Sequence, residues 1–209
     1  NYLPDVVLFP TNTYQVSKIV KYCNAKIIPI TPSAALTGLS GGALPIHGGV
    51  SMSFKKMNKI LDVNPRSFQA IVEPGLINEE FQNKISKYGL FYPPDPASKG
   101  SCTLGGNISL NAGGPRAVKY GVTSNFVLNL EVVLPNGQII WTGANTLKNS
   151  TGYNITQLMV GSEGTLGIVT KAVLKLLSLP KKNILMLVPF SKIEEACKVV
   201  SQIFFNGIF

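Results

Sequence analysis

The spacing of apolar positions along the chain changes several times, and each change predicts an element. Val6 to Phe9 is a short apolar run that reads as a strand. Val16, Ile19, Val20 and Cys23 follow at three- and four-residue spacing, one face of a helix, with Thr11 or Thr13 placed to cap it. Ile27 to Ile30 is a second apolar run. Strand, helix and strand in this order are βαβ-like and predict a small parallel sheet.

Beyond the glycine-rich stretch Thr37 to Gly49 the period shortens. Ile60 to Val63 and Phe68 to Glu73 read as strands joined by a turn at Asn64-Pro65. Ile77, Phe81 and Ile85 form a helix stripe that Gly89 stops. Residues 91 to 125 are rich in Gly, Pro, Ser and Asn and carry little periodicity, so they read as a long functional loop. Val127 to Leu134 and Gln138 to Thr142 flank Asn136-Gly137, a strong hairpin signal. Thr165 to Leu177 reads as a strand. Pro180 and Lys181 to Asn183 read as a linker. A strand at Ile184 to Val188 is expected after it, then a helix through Ile193, Cys197, Val200 and Phe204, started by a capping box of Ser191 and Glu194.

Composition narrows the function classes. With 209 residues and 45% hydrophobic positions the chain can bury a core without staples. No apolar run is long enough to span a bilayer. The start at Asn1 shows no basic or apolar leader pattern, and the stop at Phe209 follows directly on an apolar helical pattern, so both ends read as cut from a longer protein. Cys23, Cys102 and Cys197 are odd in number and scattered, which argues against a disulfide framework or a zinc site and points to a reducing, cytoplasmic compartment. A single histidine, His47, gives poor support to a Ser-His-Asp or Cys-His engine. The net charge of +9 comes from scattered lysines, with Arg66 and Arg116 the only arginines. That is a field for anionic cofactors or substrates rather than the clustered footprint of a nucleic-acid reader.

Candidate chemistry lies in four glycine-rich segments: Pro32 to Gly42 (PSAALTGLSGG), Pro93 to Asn107 (PPDPASKGSCTLGGN), Asn111 to Gly121 (NAGGPRAVKYG) and Val160 to Thr170 (VGSEGTLGIVT). Glycines let successive backbone N–H groups converge on an anion and leave room for a cofactor. None of the four is a dinucleotide fingerprint after a strand, and none is a Walker loop. A phosphate-bearing cofactor held by backbone turns is the reading that remains, against plain turn-building by each glycine alone.

In order and wording these segments resemble the type 4 FAD-linked oxidases, which carry the vanillyl-alcohol-oxidase or PCMH-type FAD-binding fold. The phrases that carry the resemblance are TGLSGGALP (37–45), VEPG (72–75), GLFYPPDPAS (89–98), CTLGGN (102–107), NAGGPRAVKYGVT (111–123), LEVVLPNG (130–137) and GSEGTLGIVT (161–170). They cover about residues 4 to 180. Glycolate oxidase FAD-linked subunits and D-lactate dehydrogenases resemble the chain most. The resemblance implies an α+β fold of two α/β lobes, residues 1–61 and 62–180, with FAD between them. Residues 181–209 would begin a cap or substrate domain.

By motif, the resemblance carries FAD contacts onto Pro32, Ser33, Ala34, Ala35, Leu36, Thr37 and Gly38 around the pyrophosphate, and onto Pro74 and Gly75. It carries the flavin side onto Asp95, Pro96, Ser98, Ser101, Cys102, Thr103, Gly105 and Gly106, continued by Leu110, Asn111, Ala112 and Gly113. Glu163, Gly164, Thr165, Leu166, Gly167, Ile168 and Val169 would close on the cofactor through backbone. One departure stands out. Where the family reads T-P-R-G-G-G-T-G, often with Ala at the middle glycine, this chain reads Thr31-Pro32-Ser33-Ala34-Ala35-Leu36-Thr37-Gly38, so an arginine is lost and the two outer glycine positions hold Ala34 and Leu36. A leucine forced to positive φ costs about 1 kcal/mol or more.

Among single residues, His47 sits in a turn where a flavin-linking role is weighed against a surface one. Cys102 reads as a thiol lining the cofactor path, Trp141 as packing, and Glu163 as structural rather than a base. Arg116 and Lys119 are candidates for a substrate carboxylate or the flavin's negative charge, against a plain solvated loop face. The implied reaction is oxidation of a 2-hydroxy acid to the 2-oxo acid, with electrons passed to another acceptor or a partner oxidase subunit. No catalytic or metal-ligating residue is identified, since the resemblance places those groups in a C-terminal half. The location expected is cytoplasmic, or peripheral to a membrane through a partner. The rivals are a non-catalytic flavin-binding or assembly subunit of a larger oxidase, for which the altered first loop speaks, and a basic nucleic-acid module supported by charge alone.

Overall fold

The computed structural model describes residues 2–207. They divide into two compact units, Asn1–Leu179 and Pro180–Phe209. The first unit is mixed α+β, with one parallel and two antiparallel sheets.

The parallel sheet comes first in the chain. It takes β1 (Val6–Leu8), β2 (Ile30–Ser33) and β3 (Val50–Ser53) in the order β1-β3-β2, and α1 (Thr13–Lys26) is the crossover. Val16, Val20 and Cys23 are the buried face of α1, as their spacing predicts. The cap is neither expected threonine but Asn12, whose side chain accepts from Gln15 N at 3.0 Å. Thr13 lies inside the helix, and its hydroxyl donates to Glu131. The strand expected from Ile27 begins only at Ile30. Ile27 takes a left-handed φ of 55°, and its N–H and that of Ile28 close the helix end on Asn24 O and Cys23 O. The central strand β3 has no signal in the sequence: with Val50, Met52 and Ser53 all buried, it lacks the alternation of a half-exposed strand.

The larger sheet is antiparallel in the order β4-β5-β9-β7-β8. Its strands are β4 (Ile60–Asn64), β5 (Gln69–Val72), β7 (Val127–Val133), β8 (Ile139–Trp141) and β9 (Ile168–Lys175). Asn64 turns the chain between β4 and β5 by accepting from the N–H groups of Arg66 and Ser67. Asn136-Gly137 makes the β7–β8 turn, with Gly137 at φ 83°. The strand expected from Thr165 starts at Ile168, because Thr165 still belongs to a turn closed on Ser162 O. A small pair, β6 (Leu90–Phe91) with β10 (Leu177–Ser178), completes the sheets. The stripe at Phe81 and Ile85 forms α2 (Asn78–Ser86), and Gly89 follows it at φ 71°.

The segment 91–125 is more ordered than its composition suggests. It holds α3 (Leu104–Leu110), α4 (Ala117–Tyr120) and a 3-10 turn at Thr123–Phe126. Thr103 caps α3 through Gly106 N, and only Leu104 and Ile108 form its apolar face, too few to show as periodicity. α5 (Ile155–Met159), capped by Asn154, is equally short and equally silent in the sequence.

Two apolar clusters hold this unit together. The larger packs α2, α3 and β6 against the five-stranded sheet, through residues such as Phe81, Ile85, Leu104, Leu130 and Leu174. The smaller joins the two sheets: Val16, Val20, Met52, Phe54 and Met57 from the first meet Val133 and Ile168 of the second. Glu131 pins the same junction, accepting from the hydroxyls of Thr13 and Thr170 and from Lys171 Nζ at 3.0 Å. Glu131→Ala leaves these donors unmatched in a buried place. We expect it to destabilise by about 2–3 kcal/mol, a fall of about 4–12 °C in Tm by calorimetry.

Tyr92 is stacked edge-to-face between Phe81 and Phe126, fully buried. Its hydroxyl has no hydrogen-bond partner among the described residues. Burial pushes the phenol well above the ordinary tyrosine range, against a lowering pull from the nearby Thr123 hydroxyl, which itself donates to Ala112 O. An orphaned buried hydroxyl is a net cost, so Tyr92→Phe is expected to raise stability by about 1 kcal/mol in a denaturant titration.

The second unit carries one helix, α6 (Ile193–Phe205). The expected strand at Ile184–Val188 is not formed, and those side chains lie exposed. The expected capping box is not formed either. Lys192 is the N-cap, so Ser191 lies before the cap and Glu194 falls at the second helical position instead of the third that a box requires. Among the described residues no helix is long and apolar enough to cross a membrane.

Candidate functional site

A cavity of about 270 Å³, open to solvent, lies where the C-terminal end of the parallel sheet meets α3 and the turn before β9. Ligands in open α/β sheets commonly bind off the carboxyl ends of strands. Here β2 ends at Ser33, and the chain goes straight into the first glycine-rich segment. All seven of its expected residues, Pro32 to Gly38, line the cavity. Pro74, Pro96 and Ser98 line it too, as do Thr103, Gly105 and Gly106 at the start of α3. Leu110 and Ala112 follow from its far end, and Glu163, Gly164, Gly167, Ile168 and Val169 from the fourth segment.

Eight expected residues lie elsewhere. Gly75 is buried against the carbonyls of Phe54 and Met57. Asp95 is engaged by Arg116, through its backbone N–H at 3.3 Å and its side chain at 3.2 Å. Ser101 belongs to a turn on Ser98 O, and Cys102 is buried with its carbonyl accepting from Asn78 N. Asn111 ends α3 at φ 50° and accepts from Ser124 N. Gly113 packs near Val122 and Ala117. Thr165 turns onto Ser162 O, and Leu166 is exposed outside the cavity.

Six lining residues were not singled out: Ser40, Gly42, Ala43, Phe54, Asn107 and Ser109. Ser40, Gly42 and Ala43 sit inside the phrase TGLSGGALP, so that signal was present. Phe54 and Ser109 follow from β3 and α3, which periodicity did not reveal.

Backbone amides sort the walls. From Ala34 through Ala43 no N–H donates a hydrogen bond among the described residues. The start of α3 offers no such donors: Leu104 N is given to Leu76 O, Gly105 N to Pro74 O, and Gly106 N to the Thr103 hydroxyl. In the fourth segment Gly161 N and Glu163 N are given to Ile108 O and Ser109 O. Uncommitted donors therefore lie chiefly on the loop after β2, a run of free amides of the kind that forms an anion nest, joined by Gly164 N and Gly167 N of the fourth segment. Bare glycine keeps the opposite walls close. A Cβ on Gly38 would lie 2.8 Å from Leu110 Cδ1, and one on Gly105 would lie 2.5 Å from Pro74 Cβ.

Leu36 stands in this nest at φ 58°, a left-handed conformation that leucine rarely adopts, with 66% of its surface exposed. No lysine, arginine or histidine lines the cavity, and Glu163 is its one charged residue. Glu163 is itself held at φ 51°, and its carboxylate accepts from Ser40 Oγ at 2.8 Å across the cavity mouth. The other charged candidates are placed elsewhere. Arg116 lies over the Phe91 ring besides pairing with Asp95, and Lys119 lies over Tyr120. His47 is exposed and outside the cavity, and Trp141 is half-exposed on β8. Among the described residues no cluster of His, Cys, Asp and Glu suits a metal ion.

Comparison with known proteins identifies the family. The FAD binding domain family matches residues 4–143. A D-lactate dehydrogenase of Anaerostipes hadrus is 45% identical over 205 residues, 98% of this chain and 43% of that protein. Glycolate oxidase subunit GlcD of Bacillus subtilis is 45% identical over 201 residues, 96% of this chain and 43% of that protein. Among solved structures, an alkyldihydroxyacetonephosphate synthase matches with a TM-score of 0.83 at 27% identity, over 99% of this chain and 40% of that one. The chain thus spans less than half the length of these relatives.

Proposed function

The chain belongs to the FAD binding domain family, and from that premise we propose that it is the FAD-holding part of an oxidoreductase that converts a 2-hydroxy acid of the glycolate or D-lactate type into the 2-oxo acid. The observation that carries this is the run of uncommitted amides from Ala34 to Ala43, on a loop that lines a glycine-walled cavity in a chain 45% identical to proteins of both names. The residues fit FAD. A diphosphate needs several convergent donors, and the loop after β2 would supply them from backbone, with the Thr37 hydroxyl nearby.

When bound, FAD supplies a hydride acceptor. The protein's share is placement. The 34–38 loop would hold the diphosphate, while Pro96, Ser98, Thr103, Gly105 and Gly106 would form the wall along the flavin. The Asp95–Arg116 pair ties the third glycine-rich segment to the PPDP turn, which keeps that wall in register. Residues 1–61 and 62–180 would act as the two lobes, and residues 181–209 would begin the cap. The electron acceptor would be a partner oxidase subunit or another small carrier, in keeping with relatives that are themselves named subunits.

Purified protein mixed with FAD and desalted should keep a flavin absorption band in the visible. Protein that stays colourless would overturn the reading. For the whole protein, anaerobic addition of D-lactate or glycolate should bleach that band. A second reading, a non-catalytic flavin-binding or assembly subunit, is favoured by one observation: Leu36 at positive φ in the loop that would grip the diphosphate. It predicts retained flavin and no bleaching by either acid in the whole protein.

A further inference from the structure

The chemistry of Glu163 is at odds with its surroundings. A cavity that takes a diphosphate gains nothing from a carboxylate, since like charges at close range repel. Yet Glu163 is the one charged residue lining it. Its backbone is held at φ 51°, where glycine would be free of strain, and its N–H is committed to Ser109 O. Its Oε2 reaches across to Ser40 Oγ at 2.8 Å and lies 2.4 Å from the place a Cβ on Gly42 would take. The glycine at 42 is what lets the carboxylate sit there. Backbone strain kept at a cavity wall is a mark of a position held for function.

We propose that the Glu163 carboxylate reads a sugar-type hydroxyl of the bound dinucleotide and is a specificity residue of this site. The proposal rests on the FAD reading above. The two charges are assigned to different stretches of one wall: the diphosphate to the amides of residues 34–38, and a neutral O–H donor to the carboxylate, which sits farther along the loop against Ser40 and Gly42. Ser40 already shows that an O–H group is accepted at that point. A carboxylate offers about four acceptor sites, and Ser40 occupies one. In other dinucleotide sites an acidic side chain serves ribose hydroxyls in the same way. FAD carries such hydroxyls in two places, the ribityl chain and the adenosine ribose.

Flavin-fluorescence titration of wild type, Glu163→Gln and Glu163→Gly with FAD and FMN, with ADP tested by competition, decides the matter. Both variants are expected to raise the Kd for FAD about 5–20-fold. Glu163→Gly is expected to leave Tm unchanged or higher, which a merely structural residue would not do. Weaker ADP binding by the variants assigns the adenosine ribose, and weaker FMN binding assigns the ribityl chain. Weakening of neither overturns the proposal. If the carboxylate is only an unwelcome neighbour of the phosphates, its removal tightens FAD, and equal or tighter binding by Glu163→Gln overturns the proposal while leaving the FAD reading intact. A wild-type protein that takes up no FAD instead removes the reading beneath it.

Discussion

Replacing Gly75 by alanine is expected to cost about 3 kcal/mol or more, a drop of about 6–12 °C in Tm. A Cβ at this position would lie 2.0 Å from Phe54 O and 2.7 Å from Met57 O. Both obstacles are backbone, so no rotamer change relieves them. Gly75 also donates its N–H to Met57 O at 2.7 Å, which leaves the chain no room to slide. The consequence reaches the site through the next residue back: Pro74 lines the cavity, and its carbonyl accepts from Gly105 N at the start of α3. Gly75→Ala should therefore lose FAD together with stability. A variant that melts within about 1 kcal/mol of wild type would refute this packing account. A residue that contacted FAD directly would behave differently, losing affinity while keeping its melting temperature.

The second large effect is expected at Leu36, with the opposite sign. Leu36→Gly, combined with Ala34→Gly, should tighten FAD binding about tenfold, equivalent to about 1.4 kcal/mol. Leu36 holds φ 58° among the uncommitted amides and lines the cavity, on the loop proposed to hold the diphosphate. Glycine adopts that backbone without strain and opens the approach. Ala34 lies beside the start of α3, its Cβ 3.6 Å from where one on Gly106 would be, so Ala34→Gly widens the same passage. Stability should change little. Relief of about 1–2 kcal/mol of left-handed strain is offset by the greater freedom of glycine in the unfolded chain. A flavin titration with no gain in affinity would show that the loop binds in a shape that already accommodates leucine.

Positions 75 and 36 differ in how readable they were. Gly75 stands in the phrase VEPG and Leu36 in the altered loop just before TGLSGGALP, and the resemblance alone assigned both to FAD. Only coordinates separate them, because Gly75 is required by the carbonyls of Phe54 and Met57, about twenty residues away in sequence. Arg116 teaches the same lesson. Its charge suggested a substrate carboxylate, but folding brings Asp95 to it first. Glu163 runs the other way. Its phrase suggested a backbone clasp, whereas its amide serves Ser109 and its carboxylate reaches the cavity.

Local sequence was sufficient wherever an element carries its own pattern. The α1 stripe, the β4–β5 turn at Asn64, the hairpin at Asn136-Gly137 and the α2 face follow from side-chain periodicity and turn chemistry acting over a few residues. The glycine-rich phrases determined the family and the cofactor in the same way, since tight turns and close approach leave few residue choices. What only the tertiary structure decided is everything that depends on partners distant in the chain. The buried strand β3 and the short helices α3 and α5 have too few exposed or periodic positions to announce themselves, and burial rather than propensity holds them. Likewise, which amides stay free for an anion is a matter of which carbonyls fold back to meet them. That left donors on the loop from Ala34 to Ala43 and at Gly164 and Gly167, and none at the start of α3.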